Sequence, residues 1–140
     1  MKFLKAREFW LILALFIMDQ GVKWHTVATG SGACNSGGPW SVGTNAPFLM
    51  FVLSCLALVA LSGFSTQLKT PLERIGFALL LTGGLSNVLD RLFRGCVVDY
   101  VRIGTFPIFN LADVALMLGI LFLAMTWFKS FSSTKGKSLR

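Results

Sequence analysis

From Ala46 to Phe64 the chain reads APFLMFVLSCLALVALSGF, without one charged residue. A stretch of this length can cross a bilayer as a helix. Lipid offers backbone N–H and C=O groups no partner, so a helix, which satisfies them internally, is the form such a segment takes. Three further stretches fit the same description: Glu8 to Ala28, Pro71 to Leu92 and Asn110 to Phe128. Pro71 sits where a proline suits the first helical turn. The predicted fold is an all-α membrane protein, a four-transmembrane-helix bundle in one domain over residues 1–128. The basic stretch 129–140, SFSSTKGKSLR at its end, is expected to be a disordered tail.

Composition agrees. Of 140 residues, 54% are hydrophobic and 14% charged, against about a quarter charged in soluble domains. The mean hydropathy is +0.70. The net charge of +7 is spread over segment ends, with no aromatic–basic stripe, which argues against nucleic acid and for topology signals and anionic-lipid contact. Lys2, Lys5 and Arg7 precede the first span. Lys69 and Arg74 lie around the second turn, and Lys129, Lys135, Lys137 and Arg140 follow the fourth span. All fall on one side of a four-span bundle, the cytoplasmic side, with both termini. The N-terminus begins like a signal peptide, but no clean cleavage site follows, and it reads as a retained helix. Trp24, Trp40 and Trp127 read as interface anchors, and Gly83 and Gly84 as points of close helix approach.

Cys34, Cys55 and Cys96 give no metal spacing. Cys55 reads as packing. Cys34 and Cys96 fall on the same side of the bundle, where a bridge is possible, but an odd count does not itself specify one. His25 lacks a companion ligand. CVVDYVRIGTFPIF reads as a short strand and turn, a small β-rich element packed over the outer mouth of the bundle.

Against this apolar background the polar residues carry the argument, because a charge near lipid needs a partner or a task. Asp19 and Lys23 are spaced i, i+4. Asn87, Asp90 and Arg91 share another helix face, and Asn110 and Asp113 a third. The four-span order puts all three groups near the outer leaflet, with Asp99 between the last two. Each has a plain structural reading: an Asp19–Lys23 ion pair, mutual neutralisation of Asp90 and Arg91, and a capping-box variant at Asn110 and Asp113. Asp99 has no immediate basic neighbour. Two carboxylates without metal ligands suit aspartyl chemistry, in which the pair shares one proton. The ionised member activates water; the protonated member polarises the scissile carbonyl and then protonates the leaving amine.

These residues resemble a known family. Asp19-Gln20-Gly21-Val22-Lys23 is similar to a D-Q-x-x-K motif. Asn87-Val88-Leu89-Asp90-Arg91, followed by Gly95, Val97, Val98, Asp99 and Tyr100, is similar to N-x-x-D-R…G-x-V-V-D-F. Phe109-Asn110-Leu111-Ala112-Asp113 matches F-N-x-A-D, and Asn35 to Ser41 resembles N-x-G-A-A-F-S less closely. The family is lipoprotein signal peptidase, or signal peptidase II, of the bacterial inner membrane. The resemblance implies an aspartic endopeptidase with Asp99 and Asp113 as catalytic dyad and no cofactor or metal. Asn87, Asp90, Arg91, Asn110, Asp19 and Lys23 would support and orient the dyad, while Asn35 and Gly37 would contact substrate from a periplasmic flap. The implied substrate is a diacylglyceryl-modified prolipoprotein in contact with membrane lipid, and the implied inhibitor is globomycin. The chain departs from the family in its short WHTVATGSGAC stretch before Asn35, in Gly38-Pro39-Trp40, and in Tyr100 for Phe. Two other classes fit parts of the pattern: a catalytically altered paralogue that binds lipoproteins, and a small ion or proton transporter. The clustering of the acids at one end speaks against a path across the membrane.

Overall fold

Thr70 starts the helix around which the rest of the chain is arranged. Its hydroxyl accepts from the Glu73 backbone N–H, and the Glu73 carboxylate accepts in return from the Thr70 N–H, a capping box with Pro behind it. The helix ends where Gly95 takes a left-handed conformation, φ 76°, and returns its N–H to the Arg91 carbonyl. The computed structural model describes residues 6–37, 46–64 and 68–137. Along the chain these form α1 (Ala6–Thr29), β1 (Ala33–Asn35), α2 (Pro47–Phe64), α3 (Pro71–Arg94), β2 (Val97–Asp99) and α4 (Leu111–Lys137). Helix α3 is central and packs on α1, α2 and above all α4.

All four expected helices are present. Helix α3 and the Leu111–Lys129 part of α4 are long and apolar enough to cross a membrane; α2 offers the shorter apolar run Phe48–Leu61. Helix α4 corrects one boundary: it continues to Lys137, into the stretch expected to be an unstructured tail. Extending a formed helix adds one hydrogen bond per residue fixed, and SFSSTK contains no breaker to stop it. Lys2, Lys5, Trp40 and Arg140 lie outside the described residues.

The packing inverts that of a water-soluble domain. The largest fully buried side chains are Lys23, Asn110, Thr82, Asp19, Asp90 and Ser86, while Phe48, Phe93, Val59, Met117 and Ile120 face outward. An apolar exterior around a polar interior is stable where lipid is the solvent, since polar groups there find partners only within the protein. The chain is a membrane protein.

Two short strands pair antiparallel, Ala33 opposite Asp99, Cys34 opposite Val98 and Asn35 opposite Val97. A disulfide joins Cys34 to Cys96, which settles the pairing the sequence left open. Beyond β2 the chain turns back, and Val101 pairs with Phe109 through N–H···O bonds of 2.8 and 3.1 Å. That hairpin brings Asn110 and the start of α4 beside Asp99.

Close approach of α3 and α4 rests on glycine. A Cβ on Gly83 would lie 2.4 Å from the Ala112 carbonyl oxygen and 2.8 Å from Leu116, and one on Gly119 would lie 2.8 Å from the Gly76 carbonyl oxygen. Backbone cannot yield as a side-chain tip can. Gly83→Ala is therefore expected to force the helices apart and cost about 1–3 kcal/mol. Gly84→Ala, which meets only the flexible Leu58 tip, is expected to cost less, and Gly21→Ala, with open space, close to nothing. Thermal unfolding in detergent checks the order.

Candidate active site

Lys23 lies on the inner face of α1 and is 0% exposed. Its ammonium meets Asp19 at 2.7 Å, Asp90 at 2.9 Å, the Asn87 Oδ1 at 2.9 Å and the Ser86 hydroxyl at 3.4 Å. One cation thus joins the α1 pair to the polar face of α3. Asp19 uses both oxygens: Oδ2 accepts from the Ser86 hydroxyl at 2.6 Å, and Oδ1 accepts from the Tyr100 hydroxyl at 2.8 Å and the Ala112 N–H at 3.2 Å. The expected ion pair is present, and it also holds the first turn of α4. Burial pushes the Tyr100 hydroxyl well above the usual tyrosine range, so it stays a donor.

Asp90 corrects the sequence reading. It does not pair with Arg91; its partners are Lys23, the Arg94 guanidinium, the Gln20 side-chain amide and the Val98 backbone N–H at 3.1 Å. Neighbouring residues in a helix point in different directions, whereas Asp90 and Arg94, at i, i+4, share a face. Arg91 turns the other way, donating to the Gly37 carbonyl at 2.7 Å and to the Asn87 carbonyl at 3.4 Å. It therefore ties α3 to the segment after β1.

The candidate dyad is built by asparagines. Asn110, 0% exposed, donates its Nδ2 to Asp99 Oδ1 at 2.7 Å, and its Oδ1 accepts from the Asp113 backbone N–H at 2.9 Å. Asp113 Oδ2 accepts from the Asn110 backbone N–H at 3.2 Å, which completes the expected reciprocal cap. Asn87 donates to Asp113 Oδ1 at 2.9 Å while its own Oδ1 holds Lys23. Asn35 donates to Asp99 Oδ2 at 3.2 Å, its orientation fixed by the Gly37 N–H donating to its Oδ1 at 3.0 Å.

Asp99 is 3% exposed at the end of β2. Burial, then the charge of Asp113, raises its carboxyl from 3.8 to about 6, against the opposing pull of the Asn35 and Asn110 hydrogen bonds and Lys23. A carboxyl held near neutrality beside a second carboxylate can share one proton and exchange it with water. No group of three or more metal-ligating side chains occurs among the described residues.

All ten residues singled out from sequence, Asp19, Lys23, Asn35, Gly37, Asn87, Asp90, Arg91, Asp99, Asn110 and Asp113, belong to one hydrogen-bonded and ion-paired network. Sequence reasoning missed Gln20, Ser86, Arg94 and the Tyr100 hydroxyl as members. The i, i+4 spacing of Asp90 and Arg94 was the available signal.

Two solved structures described as bacterial membrane enzymes share this fold. One aligns at TM-score 0.86 over 94% of this chain and 93% of its own, the other at 0.80 over 91% and 96%, both at 24% identity. The model of the signal peptidase (SPase) II family matches residues 11–129. The lipoprotein signal peptidase of Geobacillus kaustophilus (strain HTA426) is 31% identical over 91% of this chain and 97% of its own length. That of Gloeothece citriformis (strain PCC 7424) is 30% identical over 94% and 95%. The architecture is that of a helical membrane enzyme. The chain belongs to the signal peptidase II family of membrane proteases.

The ion network generates a stability prediction. Removing one partner of a buried pair strands the other, at roughly 3–5 kcal/mol. Asp90→Ala would leave Lys23 with Asp19 as its one carboxylate and Arg94 with none. It is expected to lower the amount of folded protein in membranes and its unfolding temperature sharply, whereas Arg91→Ala is expected to lower both much less. Quantitative blotting of membrane fractions and detergent unfolding decide this.

Proposed function

We propose that the protein removes signal peptides from diacylglyceryl-modified bacterial prolipoproteins, as an aspartic endopeptidase using Asp99 and Asp113. Family membership supports the reaction class, and Asn110 carries the assignment of the pair, because one buried side chain contacts both Asp99 and the Asp113 backbone. At rest Asp99 holds the shared proton, while Asp113 is the anion, favoured by the N-terminus of α4. Asp113 takes a proton from the attacking water as Asp99 gives its own to the scissile carbonyl. On collapse the amine is protonated not by the member that began protonated, since Asp99 has already given its proton to the carbonyl, but by Asp113 with the proton taken from water; the diol returns a proton to Asp99, so the pair ends as it began. Asn87 and Asn110 orient the dyad; Asn35 and Gly37 form the substrate side, with Arg91 supporting it through the Gly37 carbonyl. The four helices span the bacterial inner membrane with both termini cytoplasmic and the dyad toward the periplasm. The Cys34–Cys96 disulfide supports that orientation, since such bonds persist in oxidising compartments. Globomycin would compete at this site.

A gel-shift assay with purified protein and a diacylglyceryl-modified prolipoprotein tests the reading. Cleavage is expected from the native chain and not from Asp99→Asn or Asp113→Asn. Both variants are expected to lose roughly 10²–10⁴-fold in kcat while remaining folded, with an unfolding temperature somewhat below the native one, because Asn keeps the shape without exchanging the proton but turns one accepting oxygen into a donor that faces a donor. Cleavage by either variant at the native rate would remove that residue from the mechanism.

The pH dependence follows from Asp99. It faces Asp113 on α4, Lys23 on α1 and Arg91 on α3. Its folded value is raised, so its contribution to stability is complete below about 4 and is lost as pH rises through about 6. Activity needs the same proton, so kcat/KM of the free enzyme is expected to fall along an alkaline limb starting near that value. Asn35→Ala removes a hydrogen bond that favours the charged form, and the limb is expected to move to higher pH. A shift to lower pH, or none, would contradict the assigned contact.

A further inference from the structure

The segment that carries Asn35 and Gly37 is held by little secondary structure. Strand β1 is three residues long and, among the described residues, pairs with β2 alone, itself three residues long. An isolated two-stranded pairing of that length is marginal by itself. Beyond Gly37 the chain leaves the described residues. Besides the strand pairing, contacts among the described residues that fix this segment on the site include the Asn35 amide on Asp99, the Gly37 carbonyl on Arg91, and the Cys34–Cys96 bond. The covalent one lies one residue before Asn35 and ties β1 to the link between α3 and β2. Cys96 sits between the α3 C-cap at Gly95 and β2, and is 6% exposed. Cys34, one residue before Asn35, is exposed.

We propose that the Cys34–Cys96 disulfide is a positioning element of the active site, and that its reduction by a dithiol lowers peptidase activity by releasing Asn35 from Asp99. The proposal rests on the functional reading above and adds a mode of regulation to it. A cavity of about 280 Å³ opens beside the bond, lined by Thr26, Val27, Gly32, Arg94 and both cysteines. A thiolate therefore has a route to the sulfur of Cys34, an exposed residue. It forms a mixed disulfide there as the Cys96 thiolate leaves and takes up a proton. The second thiol of the reductant then resolves that bond. The net change is one disulfide to two protein thiols, with the dithiol oxidised to its own disulfide. Arg94 lines the cavity, and a nearby guanidinium favours the attacking thiolate. The reaction leaves the Asp19–Lys23–Asp90 ion network untouched, so the bundle is expected to stay folded while the segment over the dyad loosens.

The test compares oxidised and dithiothreitol-reduced full-length protein in detergent, with thiols counted by maleimide mass labelling. Reduction is expected to free two thiols, to raise amide exchange at 33–37 and 97–99, and to lower kcat/KM between about ten- and hundredfold, the range that small misplacements cost. The alkaline limb is expected to move to higher pH as in Asn35→Ala, and reduction of Asn35→Ala to add no further shift, since both act through one contact. Reoxidation restores activity. Cys34→Ala/Cys96→Ala is expected to be folded, slow and indifferent to dithiothreitol, while Cys55→Ala responds as the native chain does. Equal activity before and after two thiols are freed, unchanged exchange on reduction, or a fully active double variant would each overturn the inference. Absence of cleavage by the oxidised protein would instead overturn the functional reading, and the exchange measurement would still decide whether the bond holds the segment.

Discussion

The structure depends on one buried ammonium. Lys23 has no contact with solvent, and burying a charge without partners is far costlier than any single packing defect. Its requirement for two carboxylates draws α1 against α3, because Asp19 comes from the first and Asp90 from the second. The same carboxylates also hold the later part of the chain. Asp19 collects the Tyr100 hydroxyl and the Ala112 N–H, and Asp90 collects the Val98 N–H. The two ends of the segment carrying Asp99 and the start of the helix carrying Asp113 are thereby fixed on a common support.

Around that support, helix packing sets the distance between the parts. The glycines of α3 and α4 let the two backbones approach, which places Asn87 of α3 against Asp113 of α4. The hairpin through Val101 and Phe109 does the corresponding work outside the helices, delivering Asn110 to Asp99. Proton chemistry then depends on local surroundings. Asp99 is buried beside another acid with two amide donors and no direct cation, so its proton is held near neutral pH.

The helices were legible because lipid allows so few alternatives: each long apolar run became a helix within a few residues of its expected ends, the C-terminal end of α4 excepted. The clustering of the candidate site residues was legible because polar side chains in apolar helices have few reasons to exist, and spacing of three or four puts them on one face. Partner choice was less legible. The adjacency of Asp90 and Arg91 suggested a pair, yet helix geometry sends them apart, and Arg94 one turn on takes the role. Ser86 and Gln20 gave no signal, because an uncharged side chain in a helix shows its use only once the facing helix is in place. The Cys34–Cys96 bond was undecidable for a related reason: it joins residues 62 apart, and only the fold brings them together. The end of α4 was not legible, because the polar composition of SFSSTK resembles disorder although those residues include no helix breaker.

The ion network also bears on how such a protein can change over time. Lys23, Arg94, Asp19 and Asp90 cancel only as a set of two positive and two negative charges. Losing any one leaves an uncompensated charge in the interior, so a lineage has no gradual route from this arrangement to an apolar one. The support beneath the candidate dyad therefore behaves as a locked combination. Variation is steered toward the lipid-facing surface and the outer segment, where one residue can be exchanged at a time, and substrate preference can diverge while the interior stays as it is.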